Sequence, residues 1–195
     1  MSTAYPTVGV ASGLPRYSYS LRLLHWMIAV LLIMALMGGM TLGLLGYERL
    51  VELVGADMAG YAYMGHKTLG IVILGLMLLR LLVRVSQGTP GYAIDLTRTQ
   101  HVVAGLVHFL LYVLVIAMPV IGWLATAAAG HPVNFGTYEL PGFIAPDPEL
   151  ARTLFLAHTV VALCIMGLVV LHVSAAMYHA RVRRDWVTTR ISLMN

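Results

Sequence analysis

Charge is what this sequence has least of. Only 12 of its 195 residues are Lys or Arg and 8 are Asp or Glu, 10% in all, where an ordinary soluble domain carries about 25%. The deficit comes with 59% hydrophobic residues and a mean hydropathy of +0.85. A chain this short cannot hide so much apolar surface in one core, so a soluble globular domain is excluded and the solvent for its surface has to be lipid. Cysteine is nearly absent too. The lone Cys164 excludes a disulfide framework, a CxxCH haem attachment and a cysteine-held iron–sulfur cluster, so any metal has to be held by histidine. The first fifteen residues, MSTAYPTVGVASGLP, lack the basic start and cleavage pattern of a signal peptide, and the first span is expected to direct insertion. A net charge of +4 does not indicate nucleic acid in such a chain; it records orientation.

What the sequence does contain is long uncharged windows. A helix crossing the hydrocarbon core needs about 20 apolar residues, and four windows supply them, the second apolar apart from Lys67 close to one end and Arg80 at the other, giving expected spans of about 20–46, 61–83, 100–125 and 153–180. No strand-period alternation competes with these continuous runs. The expected fold is therefore an all-α integral membrane protein, an up-down four-helix bundle. Residues 1–15 read as an N-terminal tail, 16–186 as the membrane domain and 187–195 as a C-terminal tail. The Pro- and Gly-rich stretch 129–150 reads as a long connection between spans three and four, with His131 and Tyr138 as candidate donors to a ligand there. Arg16, Arg22, Arg80, Arg84, Arg98 and the arginines at 181, 183, 184 and 190 all fall on the side that holds both termini. That side is expected to be cytoplasmic.

Against this background eight histidines, as many as all the carboxylates together, call for a use. An ionisable side chain within a span is a candidate functional residue by default. His158 and His172 lie fourteen residues apart on span four, close to four helical turns, so they share one face at depths about 21 Å apart. His66 on span two matches the depth of His158, and His25 on span one matches that of His172. Span three carries His101 and His108, seven residues apart; His101 is a rival to His25 as partner of His172, and spacing alone leaves that choice open. Facing imidazoles across an apolar bundle suit a six-coordinate haem with its propionates at a basic border. Arg16, Arg22 and Lys67 are the candidate propionate partners. A haem-free metal or proton transporter would also use intramembrane histidines, but the spans hold almost no carboxylates to serve it.

Several stretches carry a resemblance. RYSYSLRLLHW at 16–26, GHKTLG at 65–70, HFLLYVLVIAMPVIGW at 108–123, GHPVNFG at 130–136 and the pair His158/His172 resemble the prokaryotic cytochrome b561 family, di-haem four-helix cytochromes of the bacterial inner membrane. The resemblance implies two non-covalent haem b groups, one held by His25 and His172 and the other by His66 and His158. It also implies electron exchange with the ubiquinone pool and, as in some members, superoxide as a donor at the periplasmic face, which makes the expected activity that of a quinone-linked oxidoreductase. A haem-bearing membrane anchor of a larger dehydrogenase or hydrogenase complex, with a redox partner protein, is the alternative reading. Twelve methionines and the lone Cys164 are read as packing. Gly38, Gly39, Gly43 and Gly46 form a small-residue stripe allowing close approach of a helix or haem, Pro119 is expected to kink span three or end its regular hydrogen bonding near the outer surface, and Trp26, Trp123 and Trp186 mark the membrane borders.

Overall fold

The computed structural model describes residues 16–91, 97–185 and 187–194. Four long helices, α1 (Tyr19–Val54), α2 (Ala56–Gln87), α3 (Arg98–Ala128) and α4 (Pro148–Tyr178), make up most of it. Each is long and apolar enough to cross a membrane. The all-α four-helix expectation holds. The N-terminal tail 1–15 and Trp186 lie outside the described residues.

The helices outrun the expected spans because hydropathy marks only the part in hydrocarbon, whereas a helix continues until its ends are capped. Ser18 accepts from the Leu21 N–H at the start of α1, Thr97 and Gln100 form a reciprocal capping box on α3, and Asp147 accepts from Glu149 and Leu150 ahead of Pro148 on α4. Helix α1 also runs past its expected end. Gly46 takes φ +70°, a conformation that suits glycine, and beyond this break a polar turn region carrying Glu48, Arg49 and Glu52 continues helically to Val54. Pro119 does not end α3, which runs on to Ala128.

Close backbone neighbours run α1 to α2, α2 to α3 and α3 to α4. One end of the bundle, here the terminal end, holds Arg16 and the C-terminal residues. The other is the hairpin end, where the connection between α3 and α4 forms a two-stranded antiparallel ribbon, β1 (Val133–Phe135) with β2 (Tyr138–Leu140). Strands of three residues are too short to show an alternating pattern in sequence. Lys67 donates to the Pro132 carbonyl and the Gly136 N–H donates to the Thr68 hydroxyl, so the ribbon is fastened to α2. At the terminal end the residues after 186, expected as a tail, fold back over the bundle. A 3-10 turn, Val187–Arg190, places Arg190 almost fully buried, donating to the Pro90 and Gly91 carbonyls, while Trp26 donates to the Ile191 carbonyl. The central core is aliphatic: Leu24, Ile28, Ile73, Met77, Val115 and Ile165.

Candidate functional site

The histidines fall at two depths because the helices keep a common register. His66 is the eleventh residue of α2 and His158 the eleventh of α4; both helices start at the hairpin end. His25 is the seventh residue of α1 and His172 the seventh from the end of α4, both near the terminal end. The ring centroids of His66 and His158 lie 6.4 Å apart, with planes at 80°. Those of His25 and His172 lie 6.2 Å apart at 70°. Imidazole nitrogens bond a metal at about 2.0–2.1 Å, so two rings on opposite sides of one metal have centres about 6.3 Å apart. Both pairs have that spacing.

Span three enters differently from the expectation. His108, not His101, approaches His172, with centroids 5.2 Å apart. That is about 1 Å short of the spacing of two imidazoles on opposite sides of one metal. His101 is only the fourth residue of α3 and lies about two turns nearer the helix end. Among the described residues no three or more metal-capable side chains gather around one point.

The register extends to all four helices in steps of seven. Positions 25, 32 and 39 on α1, 66, 73 and 80 on α2, 108, 115 and 122 on α3, and 158, 165 and 172 on α4 form three layers. The middle layer is aliphatic: Ile73, Val115 and Ile165 are buried, with Leu32 packed against them. At the hairpin-end level the other two helices contribute glycine. A Cβ on Gly39 would sit 2.7 Å from His66 Cε1, and one on Gly122 would sit 2.9 Å from His158 Cε1 and 3.1 Å from its Nδ1. Each ring is thus backed by bare helix, which explains one member of the α1 glycine stripe and gives Gly46 its separate role in the break. Both Nδ1 atoms are buried and make no hydrogen bond; the Met118 carbonyl comes near the His158 ring without meeting hydrogen-bond geometry. At the terminal-end level the corresponding positions carry Arg80 and His108.

The basic candidates lie at the two ends. Arg16 and Arg22 converge on a single acceptor, the Ser192 carbonyl, at 2.9 and 2.7 Å, and Arg16 also reaches the Met194 carbonyl. The Nε atoms of both arginines are buried without a partner. Lys67, beside His66, bonds the Pro132 carbonyl at 2.9 Å. His131 and Glu139 line a hairpin-end cavity of about 420 Å³ with Val133 and Ile144, and Tyr138 is exposed on the ribbon. Sequence reasoning placed Gly39 only in a stripe and used Arg80 only for orientation, and it missed Tyr112 and Gly122; the fourteen-residue interval, read on all four spans, assigns Gly39, Arg80 and Gly122 their levels.

Fold and site together define an integral-membrane bundle built around two levels of half-buried, facing imidazoles. The model of one family, prokaryotic cytochrome b561, matches residues 16–192, and the chain belongs to that family. Among curated relatives, cytochrome b561 homolog 1 of Escherichia coli (strain K12) is 26% identical over 120 residues, 62% of this chain and 68% of the relative. Cytochrome b561 homolog 2 of the same organism is 28% identical over 121 residues, 62% of this chain and 64% of the relative. A probable superoxide oxidase CybB of Yersinia pestis is 28% identical over 169 residues, 83% of this chain and 87% of the relative. Membership implies b-type haem and haem-based electron transport in a membrane. The residues present fit such a group: half-buried imidazoles stand at metal-bridging distance, two of them backed by glycine where a side chain would collide.

Proposed function

We propose that this protein is a di-haem cytochrome b that carries electrons across the bacterial inner membrane, with the terminal end in the cytoplasm, and exchanges them with the ubiquinone pool. His66 and His158 hold one haem, His25 and His172 the other. The observation that carries the reading is the pair of imidazole spacings, 6.4 and 6.2 Å, on helices whose histidines keep one register. When bound, each haem supplies a one-electron redox couple. The chain's part is to hold, bury and orient: His66 with His158 and His25 with His172 would each hold one haem through their imidazoles, and that haem would supply electron transfer without binding a further ligand. Ile73, Val115 and Ile165 keep the space between the levels dry, and dry surroundings lower the cost of reorganising dipoles when charge moves. Arg16 and Arg22 bind the propionates at the terminal end, which is supported by two guanidinium groups meeting at one neutral carbonyl with donors to spare. Lys67 serves the hairpin end. The relative named as a probable superoxide oxidase supports superoxide as a donor at that face.

The test is haem content and visible spectrum of single variants purified in mild detergent. Wild type should bind two haems per chain and show b-type bands that sharpen on dithionite reduction. His158→Ala should lose the hairpin-end haem and His172→Ala the terminal-end one, each keeping about half the wild-type haem. Full haem content in both variants refutes the ligand assignment.

A further inference from the structure

At the hairpin-end level the two non-histidine positions of the register are Gly39 and Gly122. At the terminal-end level one of the two is a cation, Arg80, fourteen residues from His66 on the same face of α2. Its guanidinium is held from both sides. Nη1 donates to the Leu21 carbonyl, one helical turn from His25, and Nε donates to the Tyr112 hydroxyl at 3.0 Å, one turn from His108. Arg84 also lies over the Tyr112 ring, 5.6 Å from its centroid. Among the described residues no carboxylate pairs with Arg80 or Arg84; the four ion pairs found lie elsewhere. An unpaired guanidinium in a span is costly, and the structure fixes this one beside only one of the two imidazole pairs.

We infer that Arg80 is the positioning residue that makes the terminal-end centre the electron-accepting one of the two, its fixed positive charge favouring the added electron there while glycine occupies the equivalent wall at the hairpin end. The inference rests on the di-haem reading. It concerns where one electron comes to rest: the hairpin-end centre is oxidised as the terminal-end centre is reduced, with no bond made or broken. Lys67 does not offset this. Its ammonium bonds Pro132 at the water-facing end, where salt and solvent screen it, whereas Arg80 is bonded inside the bundle. A unit charge at about 10 Å in a medium of effective dielectric about 20 shifts a one-electron equilibrium by about tenfold or a little more, and tenfold is about 59 mV. In the proposed orientation the bias drives electrons from the periplasmic to the cytoplasmic side.

The experiment is a spectroscopic redox titration of the full, haem-loaded chain, read as midpoint potential and not as turnover. Arg80→Gln is placed in two single-haem backgrounds, His158→Ala, which keeps the terminal-end centre, and His172→Ala, which keeps the other. Electron affinity should fall about tenfold or a little more in the first and only about threefold in the second, where the same charge acts from about 23 Å, and Arg80→Lys should restore most of the loss. Equal shifts in the two backgrounds, no shift in the first, or a change in haem retention alone would overturn the inference and leave Arg80 as a helix clamp or a carboxylate anchor. If Arg80→Gln does not fold, Tyr112→Phe carries the test: freeing Arg80 Nε should lower the terminal-end couple alone by a smaller factor, and an unmoved couple refutes the role. Absence of b-type bands in the wild type would sink the di-haem reading itself, an outcome distinct from all of these.

Discussion

Gly39 offers the sharpest test of the hairpin-end site, because its neighbour in sequence is its control. A methyl group on Gly39 would lie 2.7 Å from His66 Cε1. Non-bonded carbons settle at about 3.5–4.0 Å, so the imidazole must retreat by about 0.8 Å or more. Metal–ligand distances hold to within about 0.2 Å, and a ring that retreats that far cannot keep its bond to a metal shared with His158. Overpacking of this kind costs about 1–3 kcal/mol, an affinity loss of about 5- to 150-fold. Gly38→Ala meets nothing within 4 Å and gains helix propensity. Haem titration of Gly39→Ala, followed by difference spectra, should therefore show one tight and one weakened site, while Gly38→Ala shows two tight sites. Wild-type affinity at both sites in a folded Gly39→Ala variant would refute the argument that this glycine exists to admit the His66 ring.

Two further outcomes follow from the terminal end. His108→Ala should keep both haems whereas His25→Ala loses one, since the 5.2 Å separation of His108 and His172 is about 1 Å short of two imidazoles facing across one metal, whereas His25 and His172 stand at 6.2 Å; haem content per chain decides it. Arg190→Ala removes a nearly buried guanidinium bonded to the Pro90 and Gly91 carbonyls and stacked 5.4 Å from the Tyr17 ring. It should cost about 1–3 kcal/mol, seen as a lower thermal midpoint in detergent.

Much of the bundle was legible because apolar runs and helical register are both local properties. The apolar windows located four helices, and the fourteen-residue interval between His158 and His172 sets their relative depth from spacing alone. What escaped was written in long-range contacts or in single backbone angles. Gly46 looked like the end of a span, since the break and the charges beyond it read as a loop, yet the chain resumes helix to Val54. The fold-back of residues 187–194 depends on arginines of α1 finding carbonyls about 170 positions away, for which no short pattern exists. His101 looked level with His172 because the start of α3 was assumed to match the membrane border, whereas Thr97 caps the helix farther out.

The seven-residue layering also bears on which changes of length the bundle can tolerate. Each residue added to a helix turns everything beyond it by about 100°. A single insertion between positions 25 and 39, 66 and 80, 108 and 122, or 158 and 172 would leave one level intact and swing that helix's contribution to the other toward lipid. Substitution within these four intervals changes packing by increments, but insertion or deletion uncouples the two levels. The intervals therefore behave as rulers, free to vary in composition and fixed in count, while the ends, the ribbon and the segment beyond Gly46 can change length without disturbing either pair.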